Sequence, residues 1–246
     1  MKDSENIKAV ASLQPDYMGF IFYKKSARNF DGNILDVPAY IKKVGVFVDA
    51  TIEFIVEKVK KHQFAAVQLH GNESPEYCKQ LKEKLNGNLK RPQRFSKPLG
   101  SPPNHPKTIY SNLVKETSTK PVESTSTEPV EVWKVFSIKD EFNFDRLQAY
   151  EGIVDYFLFD TKGKEKGGNG YTFDWTVLNK YPSSTPFILS GGIGLDEIDQ
   201  IRLLLKTNLP IYAIDVNSKL EDEPGLKNID KVKHFLTNIH IRRDLV

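Results

Sequence analysis

Two short segments, each at the end of a strand-like apolar run, offer the clearest chemistry in this sequence. SGGIG spans residues 190–194 after the run PFILS, and DVNSK spans residues 215–219 at the end of the run IYAIDV. Glycine lets a backbone approach a phosphate group closely and point its N–H groups at it. A Gly-Gly pair that stands alone is explained by turn geometry as well as by phosphate binding. The two segments together predict a site for a phosphorylated ligand.

Asp160 ends another apolar run, DYFLFD. A carboxyl group partly removed from water at such a position holds a proton more readily and can act as a general acid. The alternative is a solvated aspartate that caps a helix. The loop that follows contains glycines 163, 167, 168 and 170, a composition that suits a mobile lid better than a tight cap.

Three further side chains have alternative interpretations. Arg28 follows the run YMGFIF and offers a planar fork to a carboxylate or phosphate, although an isolated arginine there would suit the surface equally well. His70 ends AAVQLH and is either a ligand or base, or a structural histidine. Since no second His or Cys lies at metal-ligand spacing, we expect no metal ion. Cys78 falls in the outer helical ring, so we expect it to serve packing.

The elements that must position these residues alternate between strands and helices. Nearly continuous apolar runs are typical of strands buried on both faces of a parallel sheet. Seven such runs occur, at residues 17–22, 44–48, 65–70, 131–137, 155–160, 186–190 and 211–216. Helical periodicity lies between most of them, which predicts a parallel sheet with helices outside. The candidate catalytic and binding residues named above either end a strand or follow one. The active sites of α/β barrels lie at these positions.

The first predicted element is a helix rather than a strand. Asp3 or Ser4 can cap it, and Ile7, Val10 and Ala11 recur at helical spacing. With this leading helix and seven strands, the pattern is one strand short of eight. We therefore predict a single α/β domain over residues 1–246, a (β/α)8 TIM barrel with the first β-strand missing from this chain.

A low-complexity segment at about residues 86–130 interrupts this pattern. It holds seven of the 14 prolines, six serines and five threonines, and we expect a disordered insertion, either inert or used for docking or regulation. Its net charge of +4 leaves the remainder of the +3 chain at −1, which argues against nucleic-acid binding. One cysteine, no membrane-length apolar run and no signal-peptide pattern favour the cytoplasm.

Six ordered motifs resemble those of the phosphoribosylanthranilate isomerase family of tryptophan biosynthesis. The resemblance runs from residue 1 to about residue 236 and omits the insertion. The motifs are DYMGFIFYKKSARNF, VGVFVDA, AVQLHGNESPEYC, LFDTKGKEKGGNGYTFDW, ILSGGI and DVNSKLEDEPGLKNIDKVKHF. The resemblance implies a barrel without metal or organic cofactor. It implies the Amadori rearrangement of N-(5-phosphoribosyl)anthranilate to 1-(2-carboxyphenylamino)-1-deoxyribulose 5-phosphate.

The resemblance also implies roles for individual residues. Asp160 is the general acid, and Arg28 lies beside the anthranilate carboxylate. The phosphate-binding residues are Gly191, Gly192, Asn217 and Ser218. The substrate-binding set further includes Gln68, His70 and Asp215. The family often has Ser-Ser-Gly where this chain has Asn217, Ser218 and Lys219. Because backbone donors survive that change, it affects only the side-chain contacts.

The general base is the main departure from the family. The family places a cysteine at the end of its first strand, in Lys-(Ile/Val)-Cys-Gly, and Met1 aligns just after that motif. One interpretation is that the natural chain carries roughly six to ten more residues, about one strand. The other is a catalytically disabled barrel that binds a phosphosugar or a partner. Another phosphosugar isomerase on the same fold is a further alternative. We expect a monomer or homodimer with a phosphorylated small molecule as its partner, and neither nucleic acid nor membrane.

Overall fold

Seven parallel strands form one curled sheet, whose spatial order β1 to β7 follows the chain. The computed structural model describes residues 1–34, 37–87, 128–139, 141–161 and 172–240. The strands are β1 (Tyr17–Phe22), β2 (Lys42–Phe47), β3 (Ala66–Leu69), β4 (Glu131–Ile138), β5 (Tyr156–Thr161), β6 (Phe187–Leu189) and β7 (Ile211–Ile214). This architecture confirms the predicted barrel with one strand missing. The seven predicted strands all form, with ends shifted by up to two residues, except β1, whose bounds agree with the prediction.

Helices cover the outside of the sheet. They are α1 (Ser4–Ala11), α2 (Ile52–His62), α3 (Pro75–Asn86), α4 (Ile198–Leu204) and α5 (Ile229–His240). Three 3-10 helices join them at Phe144–Tyr150, Trp175–Lys180 and Ser218–Leu220. The 3-10 helix Trp175–Lys180 lies between β5 and β6, where the alternation of strands and helices predicts a helix.

The predicted cap of the first helix is present, and α3 begins with a cap of the same kind. The Asp3 side chain accepts a hydrogen bond from the backbone N–H of Asn6 at 2.7 Å, so α1 begins at Ser4. Ser74 accepts from the backbone of Tyr77 at 3.2 Å, and Pro75 follows as the first residue of α3. Each cap satisfies an N–H group that has no partner within its helix.

The apolar core has two parts, one on each face of the sheet. The larger part lies between sheet and helices and includes Ile7, Val10, Cys78 and Leu81. The smaller fills the inside of the barrel. It consists of Val44, Ala66, Trp133, Val135, Leu158 and Ile188, with Tyr17, Tyr156 and Tyr212 packed against it. Burial on both faces explains why the strands are nearly continuous apolar runs.

The outer strands β1 and β7 lie at the two ends of the strand order and do not pair with each other. Their amino-terminal ends approach, because the hydroxyl groups of Tyr17 and Tyr212 are 2.6 Å apart. A short antiparallel hairpin, β8 (Glu221–Glu223) and β9 (Leu226–Lys227), follows β7. The sequence interpretation did not include this hairpin. Within the described ranges, no helix is long and apolar enough to cross a membrane.

Candidate active site

A cavity of about 300 Å³ opens at the carboxyl-terminal edge of the sheet and continues between β1 and β7. Most of the predicted site residues line it, although they come from four separate strand ends. They are Gln68, His70, Asp160, Gly191, Gly192, Asp215, Asn217 and Ser218. Arg28 is the predicted site residue that does not line this cavity. The strand register of the barrel therefore brings together side chains that lie up to 150 residues apart in sequence.

His70 and Asp160 face each other across this cavity. His70 directly follows β3, Asp160 lies near the end of β5, and their Nε2 and Oδ2 atoms are 3.3 Å apart. The two side chains are 14% and 7% exposed, so the pair borders the cavity with little contact with solvent. A carboxyl group in this position can hand a proton to a ligand and exchange it with the imidazole.

Asp215 is a second carboxyl group in the same place. Its Oδ2 accepts a hydrogen bond from Ser190 Oγ at 3.1 Å. Burial, and then the negative charge of Asp160, raise the pKa of Asp215 above its ordinary value. Asp215 therefore retains a proton to a higher pH than an ordinary aspartate does.

Gly191 allows the backbone to pass very close to Asp160. Its φ is +92°, a conformation that L side chains rarely adopt. A Cβ atom at this position would lie 2.3 Å from the backbone nitrogen of Thr161 and 2.7 Å from Asp160 Oδ1. The glycine is therefore required by the approach of this loop to the carboxyl group as well as by its φ.

The two loops predicted to bind phosphate are joined by Glu197. Its Oε2 accepts a hydrogen bond from the backbone N–H of Gly194 at 2.7 Å, and its Oε1 lies 2.8 Å from Lys219 Nζ. One carboxylate thus connects the loop after β6 with the loop after β7. The sequence interpretation did not identify Glu197, because one glutamate before a helical run is typical of a solvated residue.

Arg28 lies beside the cavity in an ion pair. Its Nε donates to Glu221 Oε2 at 2.8 Å, and the two side chains are 18% and 3% exposed. Glu221 also pairs with Lys227, whose Nζ is 2.9 Å from Oε1. Lys227 itself lines the cavity. Neither Glu221 nor Lys227 was identified from sequence, because a charged loop is usually a solvated one.

A buried ion pair supports the loop that carries His70. Lys134 Nζ lies 3.2 Å from Glu73 Oε2 and donates to the carbonyl groups of Leu69 and Gly71, the neighbours of His70. Glu73 in turn accepts from the backbone N–H groups of Gly71 and Asp49. These contacts fix the backbone on both sides of the histidine.

The other predicted features lie away from this site or outside the described residues. Cys78 lies on the buried face of α3, and burial raises the pKa of its thiol to about 12, which confirms a packing role. Among the described residues, no cluster of three or more His, Cys, Asp or Glu could hold a metal ion. The glycine-rich loop at 162–171 and most of the insertion, residues 88–127, lie outside the described residues.

The fold is a (β/α) barrel with a cavity at its carboxyl-terminal edge. The model of the N-(5'-phosphoribosyl)anthranilate (PRA) isomerase family matches residues 1–97 and 115–238. The chain belongs to this family.

Similar proteins carry the same name. The N-(5'-phosphoribosyl)anthranilate isomerase of Parabacteroides distasonis is 37% identical, with 97% of this chain and 90% of the relative covered. That of Phocaeicola vulgatus is 33% identical, with coverage of 97% and 94%. The structure of phosphoribosyl anthranilate isomerase from Thermotoga maritima superimposes with a TM-score of 0.67 at 24% identity, covering 97% of this chain and 95% of that one.

A further solved structure shows a ligand of this family. It is a phosphoribosyl anthranilate isomerase in complex with reduced 1-(o-carboxyphenylamino)-1-deoxyribulose 5-phosphate. Its TM-score is 0.66 at 22% identity, with 97% of this chain and 94% of that chain covered. At this identity the likeness shows the fold.

Proposed function

We propose that the cavity binds N-(5-phosphoribosyl)anthranilate and supports its Amadori rearrangement to 1-(2-carboxyphenylamino)-1-deoxyribulose 5-phosphate, a step of tryptophan biosynthesis. The observation that carries the proposal is the convergence of the family motifs: eight of their residues, from four strand ends, line one cavity. Family membership supports this substrate, and the shared cavity supports a binding role for these residues.

The phosphate group of the substrate binds to the loops at Gly191, Gly192, Asn217 and Ser218. Glu197 holds these loops together, so their backbone donors are in place before the ligand arrives. At the other end, the carboxylate of the anthranilate ring pairs with Arg28, which stands beside the cavity. Gln68 also lines the cavity.

Asp160 begins the reaction. It donates a proton to the ribose ring oxygen, the C1–O bond breaks with its electron pair on that oxygen, and the nitrogen lone pair forms the C=N bond of a protonated Schiff base. Removal of the C2 proton returns electrons to that nitrogen and gives the enolamine, which tautomerises to the ketone. His70, 3.3 Å from Asp160, orients its carboxyl group and takes part in returning the proton.

The C2 proton needs a base, and the resemblance assigns it to a cysteine that precedes the position of Met1. Cys78 cannot replace it, because it is buried under α3 with a raised thiol pKa. Under this proposal the described residues provide binding and ring opening, and the base is the cysteine that the resemblance assigns.

Turnover assays of three matched chains test this proposal. The first is the chain as given, the second carries an upstream extension that ends in Lys-Ile-Cys-Gly, and the third ends in Lys-Ile-Ser-Gly. Only the cysteine extension should convert the substrate rapidly, while all three chains should bind the reduced product analogue. Rapid turnover by the chain as given would refute the cysteine assignment. Failure of all three chains to bind the analogue would refute the proposed substrate assignment.

Domain organisation, assembly and location complete the proposal. The chain forms one barrel domain, interrupted in sequence by an insertion at about residues 86–130, between α3 and β4. The Thermotoga maritima enzyme is described as dimeric, and a monomer or homodimer is proposed for this chain. The reaction is placed in the cytoplasm, where a chain with one buried cysteine needs no oxidising environment.

A further inference from the structure

We propose that Glu221 is a positioning residue that sets both ends of the substrate site at once. It holds Arg28, at the carboxylate end, and Lys227, which in turn holds the phosphate loop. This inference rests on the proposed function for the identity of the two ligand groups. The link itself is visible in the contacts of the side chains, which the sequence motifs did not assign to the site.

Both carboxylate oxygens of Glu221 are occupied. Oε2 accepts from Arg28 Nε at 2.8 Å, and Oε1 accepts from Lys227 Nζ at 2.9 Å and from the backbone N–H of Gly225 at 3.2 Å. The side chain is 3% exposed, so the charge depends on these donors rather than on water. Burial alone would raise the pKa of Glu221, but Lys227 and Arg28 hold it below its ordinary value. The carboxylate therefore stays ionised and keeps both cations.

Lys227 carries the link to the phosphate loop. Its Nζ donates to Asn217 Oδ1 at 2.6 Å and to the backbone carbonyl of Asn217 at 3.0 Å. With Glu221 this makes three acceptors for the three hydrogens of the ammonium group, so Lys227 is saturated and acts through Asn217. Burial lowers the pKa of Lys227, and the charge of Glu221 opposes that change. Without Glu221, Lys227 would be a buried cation with no carboxylate beside it in this hairpin.

Arg28 carries the link to the carboxylate end. Only its Nε is used by Glu221, which fixes the plane of the guanidinium group. The two Nη groups have no hydrogen-bond partner among the described residues. A guanidinium held at one edge in this way presents its remaining donors in a defined direction, which suits a planar carboxylate.

The hairpin gives Glu221 a fixed place from which to act on both sides of the site. Glu221 pairs with Lys227 across β8 and β9. The backbone of Lys227 is held by Asn6 through two hydrogen bonds, from Lys227 N to Oδ1 at 2.8 Å and from Nδ2 to Lys227 O at 2.7 Å. The hairpin is thus anchored to α1, and it bridges residues that follow β1 and β7. A shift of Glu221 would move Arg28 and Asn217 together.

Binding of two small probes, anthranilate and inorganic phosphate, tests the inference. Calorimetry on the full chain gives the affinity and stoichiometry of each probe in wild type, E221Q and the matched control E223Q, an exposed glutamate of the same hairpin. E221Q should lower the affinity for both probes by roughly tenfold at unchanged stoichiometry. The reason is that Arg28 and Lys227 each lose the charge-assisted contact with Glu221 that holds them. E223Q should bind as wild type. A purely structural defect would lower the stoichiometry instead of the affinity.

A second pair of variants, K227M and R28Q, tests the positioning role even if E221Q does not fold. K227M should weaken phosphate alone, and R28Q should weaken anthranilate alone. E221Q that binds both probes as wild type, or K227M that binds phosphate as wild type, would overturn the positioning role. Wild type that binds neither probe would overturn the proposed function instead.

Discussion

Asp160 Oδ2 and His70 Nε2 are 3.3 Å apart, although their strands β5 and β3 are not neighbours. The side chains meet because both strands end at the same edge of the barrel. The imidazole gives the carboxyl group one defined orientation toward the cavity. Asp215 adds a half-buried acid next to them, and Gly191 leaves the space that Asp160 needs. These side chains lead to three predictions at the level of single residues.

Replacing Asp160 by asparagine should remove the proton donor and keep the shape of the site. In the chain extended with Lys-Ile-Cys-Gly, we expect D160N to lower kcat by at least about 100-fold, the usual scale for a lost general acid. Binding of the reduced product analogue should change little. The control is D199N, whose side chain is 90% exposed. Equal turnover in D160N and D199N would contradict the assignment.

Replacing Gly191 by alanine should abolish analogue binding, because the new Cβ would collide with the backbone of Thr161 and with Asp160. Gly152 is the matched control, since its φ is also positive, at +71°, but nothing lies within 4 Å of its Cβ position. Both variants carry backbone strain of about 1 kcal/mol. Calorimetry should show binding lost in G191A and retained in G152A. Retention in both would mean that the close approach does not matter.

Replacing Asp215 by asparagine should stabilise the protein at neutral pH. Because burial and Asp160 raise the pKa of Asp215, the folded chain binds this proton more tightly than the unfolded chain. Its contribution to stability is therefore greatest below the unfolded pKa, and it declines as the pH rises through the folded pKa. Urea unfolding should show D215N more stable than wild type at pH 7.5, with a smaller difference at pH 4. A difference independent of pH would contradict this.

At the scale of elements, strands were more predictable than their connections. A strand buried on both faces needs an apolar run, so β1 to β7 stand out in the sequence. Their ends depend on pairing with neighbours, which the sequence does not display. The hairpin of β8 and β9 was missed because its strands are three and two residues long and charged. Its stability comes from Asn6, which lies 221 residues from Lys227.

The contact between α1 and the hairpin gives a prediction about these two elements. Asn6 is 8% exposed, and N6A would leave the backbone N–H and C=O of Lys227 without their partners. We expect the free energy of unfolding to fall by about 1–3 kcal/mol. Urea denaturation measures it, with N179A, at an exposed position, as the control. A loss in N6A no larger than in N179A would show that the clamp contributes nothing to stability.

On the scale of the whole molecule, the sequence predicts where the site lies better than how it is held. Side chains at strand ends could be placed at one edge, because a parallel barrel brings all carboxyl ends together. The pairing of Arg28 with Glu221 could not be predicted, because the two residues are 193 positions apart and each is an ordinary charged residue by itself. Long-range ion pairs follow from the closure of the barrel, which no local pattern encodes.

The space between β1 and β7 is a feature of the barrel as a whole. The cavity continues into this space, and the hairpin bridges it at the carboxyl-terminal edge. In the proposed function, binding of the substrate skeleton relies on Arg28 and on the loops after β6 and β7. Proton removal from C2 relies on the cysteine that the resemblance assigns. Under that proposal, binding and turnover are separable.

The most direct test of the central claim is calorimetric titration of the chain as given with reduced 1-(o-carboxyphenylamino)-1-deoxyribulose 5-phosphate. The account predicts saturable binding of one molecule per chain, weakened by competing inorganic phosphate and, separately, by competing anthranilate. Two independent competitors would show that the cavity has one subsite for each end of the ligand. No saturable binding, or binding that neither competitor affects, would contradict the assignment of this cavity to the isomerase substrate.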